Sequence, residues 1–394
     1  MIVLERLIIV KKFLMIATVP SMIGQFNMDN LHILLQLGYE VHIACNFKDT
    51  SVWSAKRIEE FEKNMSELNI KCIQIDFSRS PYQIKKMIRC YKEVKKLIAK
   101  ENYTIIHCHT PVAGLITRLA ANNEKAKVIY TAHGFHFYKG APIKNWLIYY
   151  PIEKICSYMT DVLITINKED FALAQNRMKA KKVVYIPGVG VNIEKYKHSK
   201  NDAIRKEFNI PQDARLLLSV GELNKNKNHE IIIRALSELR LPEAVYYVIV
   251  GKGELEPYLK TKICENNLQD RIFLTGYRKD ILNFYHASDI YVFPSFREGL
   301  SVALMEAMAC GLSVIASDIR GNQDLVDSNG GIMFKPHVLE SVKDAIDKIL
   351  SKDEIEIEKM GKYNESKMKS FSSDIVKKMM EKIYKEIDST TASM

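Results

Sequence analysis

The chain has 394 residues, of which 47% are hydrophobic and 26% charged, and a formal net charge of +10. Those proportions exclude a disordered or fibrous chain, and the length suits two domains better than one core. The seven cysteines are scattered, with no Cys-x-x-Cys pair, which argues against a disulfide framework or a cysteine zinc site and fits a reducing cytoplasm.

No stretch offers about 18 uninterrupted apolar residues, so no transmembrane helix is expected. The N-terminal stretch Met1–Phe13 is apolar, but Glu5, Arg6, Lys11 and Lys12 break it before a secretory core forms, and no small-residue cleavage site follows. Residues 1–9 read as a short interfacial extension or as an over-called start. The positive charge is uneven. Residues 1–195 carry 28 Lys+Arg against 17 Asp+Glu, whereas residues 196–394 carry 29 against 30. An acidic partner for the first half is therefore expected: anionic lipid, a phosphorylated substrate or nucleic acid.

In chain order, strands are expected at Phe13–Ala17, Val41–Cys45, Thr104–Cys108, Val128–Thr131 and Val162–Ile166, with helical patterns between them. A second series follows: Leu216–Gly221, Tyr246–Gly251, Ile272–Leu274, Ile290–Phe293 and Ser313–Ala316. Two such series imply two α/β, Rossmann-like domains with parallel sheets. The linker is placed at Pro187–Val191, where proline and glycine interrupt the periodicity. The domains are expected at 1–190 and 191–370, with a C-terminal segment, 371–394, whose helix runs from Ser373 to Ile387.

Ligands of open parallel sheets sit beyond the carboxyl ends of strands. His109, His133, Glu222, Lys227 and the loop Pro294–Ser301 all fall there. Gly299 removes bulk beside a predicted helix whose first amides and dipole can hold phosphate, and Ser301 adds a hydroxyl. Glu298 lies just before that helix. Glu306 lies two turns in, with its side chain leaning back toward the same end. On spacing alone, the two acids read equally well as a loop charge and a solvated helix residue.

Glu-x7-Glu within Pro-Ser-Phe-Arg-Glu-Gly-Leu-Ser…Glu-Ala-Met-Ala resembles the retaining glycosyltransferases of family 4. Val19–Asn27, His109-Thr110-Pro111, Thr131–His136 and Gly221–His229 resemble its capsule and exopolysaccharide branch. The resemblance covers nearly the whole chain. It implies the GT-B architecture, two Rossmann-like domains facing across a cleft, with the last helix crossing back to the N-terminal acceptor domain. A nucleotide-sugar, expected to be a UDP-sugar, is the co-substrate, and neither cofactor nor metal is implied. By analogy Glu306 holds the ribose hydroxyls, Glu298 the donor sugar, and the amides of Gly299, Leu300 and Ser301 the diphosphate. By the same analogy Lys227 matches the lysine that neutralises the leaving group, and His133 matches the active-site histidine. Gly24, read as part of the first strand-helix loop, keeps bulk away from diphosphate or acceptor.

One departure stands out. Many relatives place Arg five residues before that lysine, where this chain has Glu222, which cannot replace a guanidinium. Asn224, Lys225 and Arg297 are the candidates to compensate. The histidines His107, His109, His133 and His136 leave a metal site open as a minor alternative.

Residues 79–100 hold Arg79, Lys85, Lys86, Arg89, Lys92, Lys95, Lys96 and Lys100 against Glu93, on a helix with an apolar stripe. That face suits anionic headgroups of the inner membrane surface, consistent with a lipid-linked acceptor. Trp146, Tyr149 and Tyr150 are candidates for the acceptor entrance or for core packing. The rival readings are a UDP-GlcNAc 2-epimerase of the same fold and a non-catalytic nucleic-acid-binding protein. The second lacks any aromatic-basic motif, and no nucleic-acid partner is expected.

Overall fold

A computed structural model describes residues 10–392, apart from 81, 198, 200 and 240–243. Residues 1–9, for which an interfacial extension was weighed, lie outside the described residues. The chain divides into two compact units: Met1–Val189 with Val376–Met394, and Gly190–Ile375.

Among the described residues the first unit holds seven strands: β1 (Lys12–Ile16), β2 (Glu40–Cys45), β3 (Lys71–Gln74), β4 (Ile105–His109), β5 (Lys127–Ala132), β6 (Val162–Thr165) and β7 (Lys182–Tyr185). They form one sheet in the order β3-β2-β1-β4-β5-β6-β7, every pairing parallel. Along β1 the period-2 alternation is plain. Phe13 and Met15 join one apolar cluster, while Leu14 and Ile16 join the cluster on the opposite face.

Among its described residues the second unit holds six: β8 (Arg215–Val220), β9 (Val245–Val250), β10 (Ile272–Leu274), β11 (Ile290–Phe293), β12 (Ser313–Ser317) and β13 (Gly331–Phe334). Their order is β10-β9-β8-β11-β12-β13, again parallel throughout. In each sheet the strand order reverses once, between β1 and β4 and between β8 and β11. Crevices for ligands open at such switch points.

Three strands escape the sequence reading: β3, β7 and β13. All are four residues long, and Lys71-Cys72-Ile73-Gln74 and Lys182-Val183-Val184-Tyr185 lack the unbroken apolar run of central strands because β3 and β7 are sheet edges. The last helix, Ser373–Ala392, runs five residues further than expected. Its residues Val376, Met380, Ile383, Tyr384 and Ile387 complete the apolar cluster that includes Phe13 and Met15. This element therefore belongs to the core of the first unit. All seven cysteines are free thiols.

Candidate active site

In the second unit, the loops after β8 and β11 meet at the switch point. After β8, Asn224 caps the single 3-10 turn Lys225–Lys227 by accepting from the Lys227 amide at 3.1 Å. Its Nδ2 donates to Glu222 Oε2 at 2.9 Å. Asn226 stitches the two loops together. Its Nδ2 donates to the Arg297 carbonyl at 3.0 Å, and its own carbonyl accepts from the Phe296 amide at 2.8 Å.

These bonds place Lys227 Nζ 2.8 Å from Glu298 Oε1, with only about a fifth of either side chain exposed. The same ammonium lies 4.9 Å from the centre of the Phe293 ring, and the methylenes of Lys227 pass the bare Cα of Gly221. The cation and the carboxylate singled out from sequence are thus one ion pair. Of the compensating candidates, Arg297 and Lys225 have exposed side chains, while Asn224 spends both ends of its amide on building the turn. The Glu222 carboxylate is held by Asn224.

Ser301 is the N-cap of the helix Val302–Ala309, its hydroxyl accepting from the Leu304 amide at 3.4 Å. One lone pair of the hydroxyl thus serves the helix, and its O–H remains a donor. Gly299 is approached closely by Gly321, whose φ of +80° and absent Cβ let its backbone lie against the Gly299 carbonyl; a Cβ there would fall 2.3 Å from that oxygen.

Glu306 is half-buried, not a solvated helix residue. Tyr196 OH donates to one of its oxygens at 2.5 Å and Tyr285 OH to the other at 3.0 Å. Burial raises its pKa, while the two phenols and the charge of Lys195 oppose the rise. Tyr196 and Tyr285 escaped the sequence reading. No local pattern marks them, because they come from the segment after the interdomain stretch and from the helix before β11.

In the first unit, Thr18 after β1 and Thr110 after β4 span the switch point, their hydroxyls 2.7 Å apart. Beside them is a chain of rings, with His107 and His109 buried and His133 half-buried. His107 sits between Tyr384 OH, at 2.9 Å, and Thr131 Oγ1, at 2.8 Å. His109 Nδ1 lies 3.1 Å from His133 Nε2, so one ring donates to the other. Burial lowers His107 to about 3 and His133 to about 4, and it pushes His109 well below the ordinary range. All three are neutral imidazoles at neutral pH. The loop carrying His133 is fixed through Gly134, at φ +129°, and through Asp170, whose carboxylate accepts from the Phe135 amide at 3.0 Å. Among the described residues no group of three or more His, Cys, Asp or Glu side chains is arranged to hold a metal ion.

Gly24 is placed differently from the sequence reading. It lies inside the helix Pro20–Phe26, not in a loop, and a Cβ there would meet the Trp53 indole at 2.4 Å and the Phe61 ring at 3.1 Å. The space that it vacates is filled by aromatic packing. Near it, beyond the ends of β1, β4 and β5, opens a cavity of about 420 Å³ lined by Thr18, Gln25, Arg79, Thr110, Gly134 and His136 among others. Tyr149 also lines it, whereas Trp146 and Tyr150 pack on Phe137 at ring distances of 5.6 and 5.5 Å.

Comparison with known proteins shows the family and the fold. Residues 200–367 match the model of glycosyl transferases group 1, and residues 26–167 match that of the glycosyl transferase 4-like domain. EpsD of Bacillus subtilis (strain 168), which carries a glycosyltransferase name, is 34% identical over 335 residues, covering 82% of this chain and 84% of its own. A UDP-Gal:alpha-D-GlcNAc-diphosphoundecaprenol alpha-1,3-galactosyltransferase of Escherichia coli is 32% identical over 284 residues, covering 68% of this chain and 72% of its own. Among solved structures, HepE of Anabaena in complex with UDP superposes with a TM-score of 0.75 at 18% identity, covering 95% of this chain and 100% of that one. Its fold is the one described above, the GT-B fold of the resemblance. The chain belongs to the group 1, family 4-like glycosyltransferases.

Proposed function

We propose that this glycosyltransferase moves a sugar from a UDP-sugar to a sugar-diphospho-polyprenol or oligosaccharide acceptor in surface polysaccharide synthesis, with retention and without a metal ion. The names of the relatives support the donor and the acceptor. The observation that carries the reading is the switch point of the second unit, where Lys227 is held by Glu298 and the Glu306 carboxylate is clamped by two phenols.

Each part then has a task. The donor diphosphate takes over Lys227 from Glu298, which frees that carboxylate to accept from sugar hydroxyls. A fixed cation there stabilises the charge that grows as the bond from the anomeric carbon to the phosphate oxygen breaks. Glu306 accepts from the ribose hydroxyls, and the amides of Gly299, Leu300 and Ser301 face the diphosphate. The acceptor oxygen bonds to the anomeric carbon on the face that the phosphate leaves, and the hydroxyl proton passes to the departing phosphate oxygen. UDP is released. His133, as a neutral imidazole, can exchange hydrogen bonds with a sugar hydroxyl of the acceptor without adding charge.

No helix among the described residues is long and apolar enough to cross a membrane. The exposed lysines and arginines of the helix Ile84–Glu101 would hold the enzyme at an anionic lipid surface.

The test is transfer from a panel of UDP-sugars to a sugar-diphospho-polyprenol, with the new anomeric linkage read by NMR and with chelator present in half the reactions. Retention and undiminished rates in chelator are expected. Inversion, or activity restored only by a divalent ion, would sink the corresponding part. ManNAc formed from UDP-GlcNAc without acceptor would instead establish the epimerase.

A further inference from the structure

The cavity beyond Thr18, Thr110 and Gly134 does not end at the strand edge. Met87 and Leu115 line it, and they also line a second cavity of about 570 Å³ bordered by the helices Ile84–Glu101 and Pro111–Ala121. The outer space is walled by Ile84, Ile88, Tyr91, Ile116 and Leu119.

Three of these aliphatic side chains are open to solvent: Ile84 is 66% exposed, Ile88 52% and Leu119 41%. The core stripe of the first helix is Cys90, Val94 and Ile98; Ile84 and Ile88 stand apart from it. Ile84 and Ile88 are four residues apart on one helix, as are Leu115 and Leu119 on the other, so each pair forms a row along its helix. Together they make a contiguous apolar strip, which is different in kind from scattered surface hydrophobes.

The inner cavity is also lined mainly by apolar side chains, but a few polar groups stand among them, including the Glu153 carboxylate that is paired with Arg118. Arg79 lines the first cavity and is tethered there by donating to Ser51 Oγ at 3.1 Å. Thr18, Thr110 and Gln25 add neutral polar groups. A ligand that matches both ends has a polar, anionic head and a long hydrocarbon tail.

Building on the lipid-linked acceptor proposed above, we infer that the outer groove takes the first isoprene units of the acceptor's polyprenyl chain. The chain leaves the inner cavity past Met87 and Leu115, with its diphosphate near Arg79 and its sugar beyond Thr18 and Thr110. The groove is then a specificity element. It distinguishes an acceptor by its chain, independently of the sugar that it carries. The lysines Lys85, Lys86 and Lys92 sit on the same helix as Ile84 and Ile88 and serve the lipid surface from which the chain comes.

The experiment measures KM for one sugar diphosphate carrying either a long polyprenyl tail or a short alkyl tail, in the wild type, in Ile84→Ser/Ile88→Ser and in Leu119→Ser. These positions are exposed, and unchanged melting temperatures confirm folding. Each variant is expected to raise KM for the long-tailed acceptor about tenfold while leaving the short-tailed value near wild type. Binding to acceptor-free anionic vesicles should be unchanged.

Equal effects on both acceptors, or none on either, overturn the groove. An equal loss of vesicle binding overturns it in favour of a general membrane anchor. A wild type that gains nothing from the long tail also overturns it, while leaving transfer to sugar diphosphates intact. Failure on every sugar-diphosphate acceptor removes the functional reading as well.

Discussion

The two switch points of this molecule solve the same topological problem with opposite electrostatics. In the second unit the β8 and β11 loops meet through a partly exposed ion pair, Lys227 with Glu298. In the first unit the β1 and β4 loops meet through two neutral hydroxyls, Thr18 and Thr110, beside imidazoles that burial keeps uncharged. A sheet crevice supplies the position, and the loop residues decide what chemistry it serves. The charged crevice suits an anionic leaving group, whose charge grows during reaction. The neutral one, opening on an apolar cavity, suits a ligand that should be oriented and kept from water.

The contrast breaks first at Lys227 and Glu306. Lys227→Ala is expected to cut transfer by about 100- to 1000-fold, the scale of losing a group that stabilises transition-state charge, and Glu306→Ala to cut kcat/KM for the donor by about 100-fold through lost ribose hydrogen bonds to a charged group. Steady-state rates and circular dichroism melts check this. Near-normal rates in folded variants would mean that the charged crevice is structural. Next in size is the basic helix of the first unit. Neutralising Lys85, Lys86 and Lys92 together should weaken binding to anionic vesicles by tenfold or more, at about 1 kcal/mol per charge near a lipid surface. Co-sedimentation reads the loss, and unchanged binding would make that face merely solvated.

Much of this was legible in the sequence, for definite reasons. Central parallel strands are buried on both faces, so β1, β4, β8 and β11 appear as apolar runs, and their carboxyl ends mark the crevices. Lys227, Glu298 and Glu306 stood out through the family resemblance, since spacing alone read the two acids equally well as a loop charge and a solvated helix residue. Edge strands such as β3 and β7 were not legible, since half their surroundings are solvent and their pattern weakens. Nor were Tyr196 and Tyr285, which come 110 and 21 residues before the carboxylate that they hold. Gly24 shows the converse failure. A glycine near a strand end invites a loop reading, but Gly24 lies within the helix Pro20–Phe26, where a Cβ would meet Trp53. Tertiary packing, absent from local pattern, decided each of these.

A subtler difference lies in acid sensitivity. Burial lowers the pKa of His42, His107, His109 and His133 in the first unit, and that of His229, to about 3, in the second. In the unfolded chain these rings titrate near about 6.5. As pH falls from there toward the folded values, the unfolded state binds protons that the folded state refuses, so stability is lost. The limiting slope is about 1.4 kcal/mol per pH unit for each ring. Hydrogen exchange, corrected for intrinsic rates, should therefore show the amides of β4 and β5 losing more protection between pH 7 and 5 than those of β8 and β11. Equal losses would erase this difference between the two units.

The smallest effect is the most diagnostic of how Glu306 is tuned. Tyr196→Phe removes one of the two phenol donors and leaves Tyr285 in place. Burial already raises the carboxyl pKa, and the Tyr196 bond opposes that rise. Losing the bond moves the pKa further up, so the acid limb of kcat/KM for the donor should shift to higher pH. At neutral pH only a few-fold rise in donor KM is expected, on the scale of one hydrogen bond to a charged group, with kcat little changed. The direction matters more than the size. If Tyr196 instead competed with the ribose for the carboxylate, its removal would lower donor KM. If Glu306 did not meet the donor, the pH profile would not move.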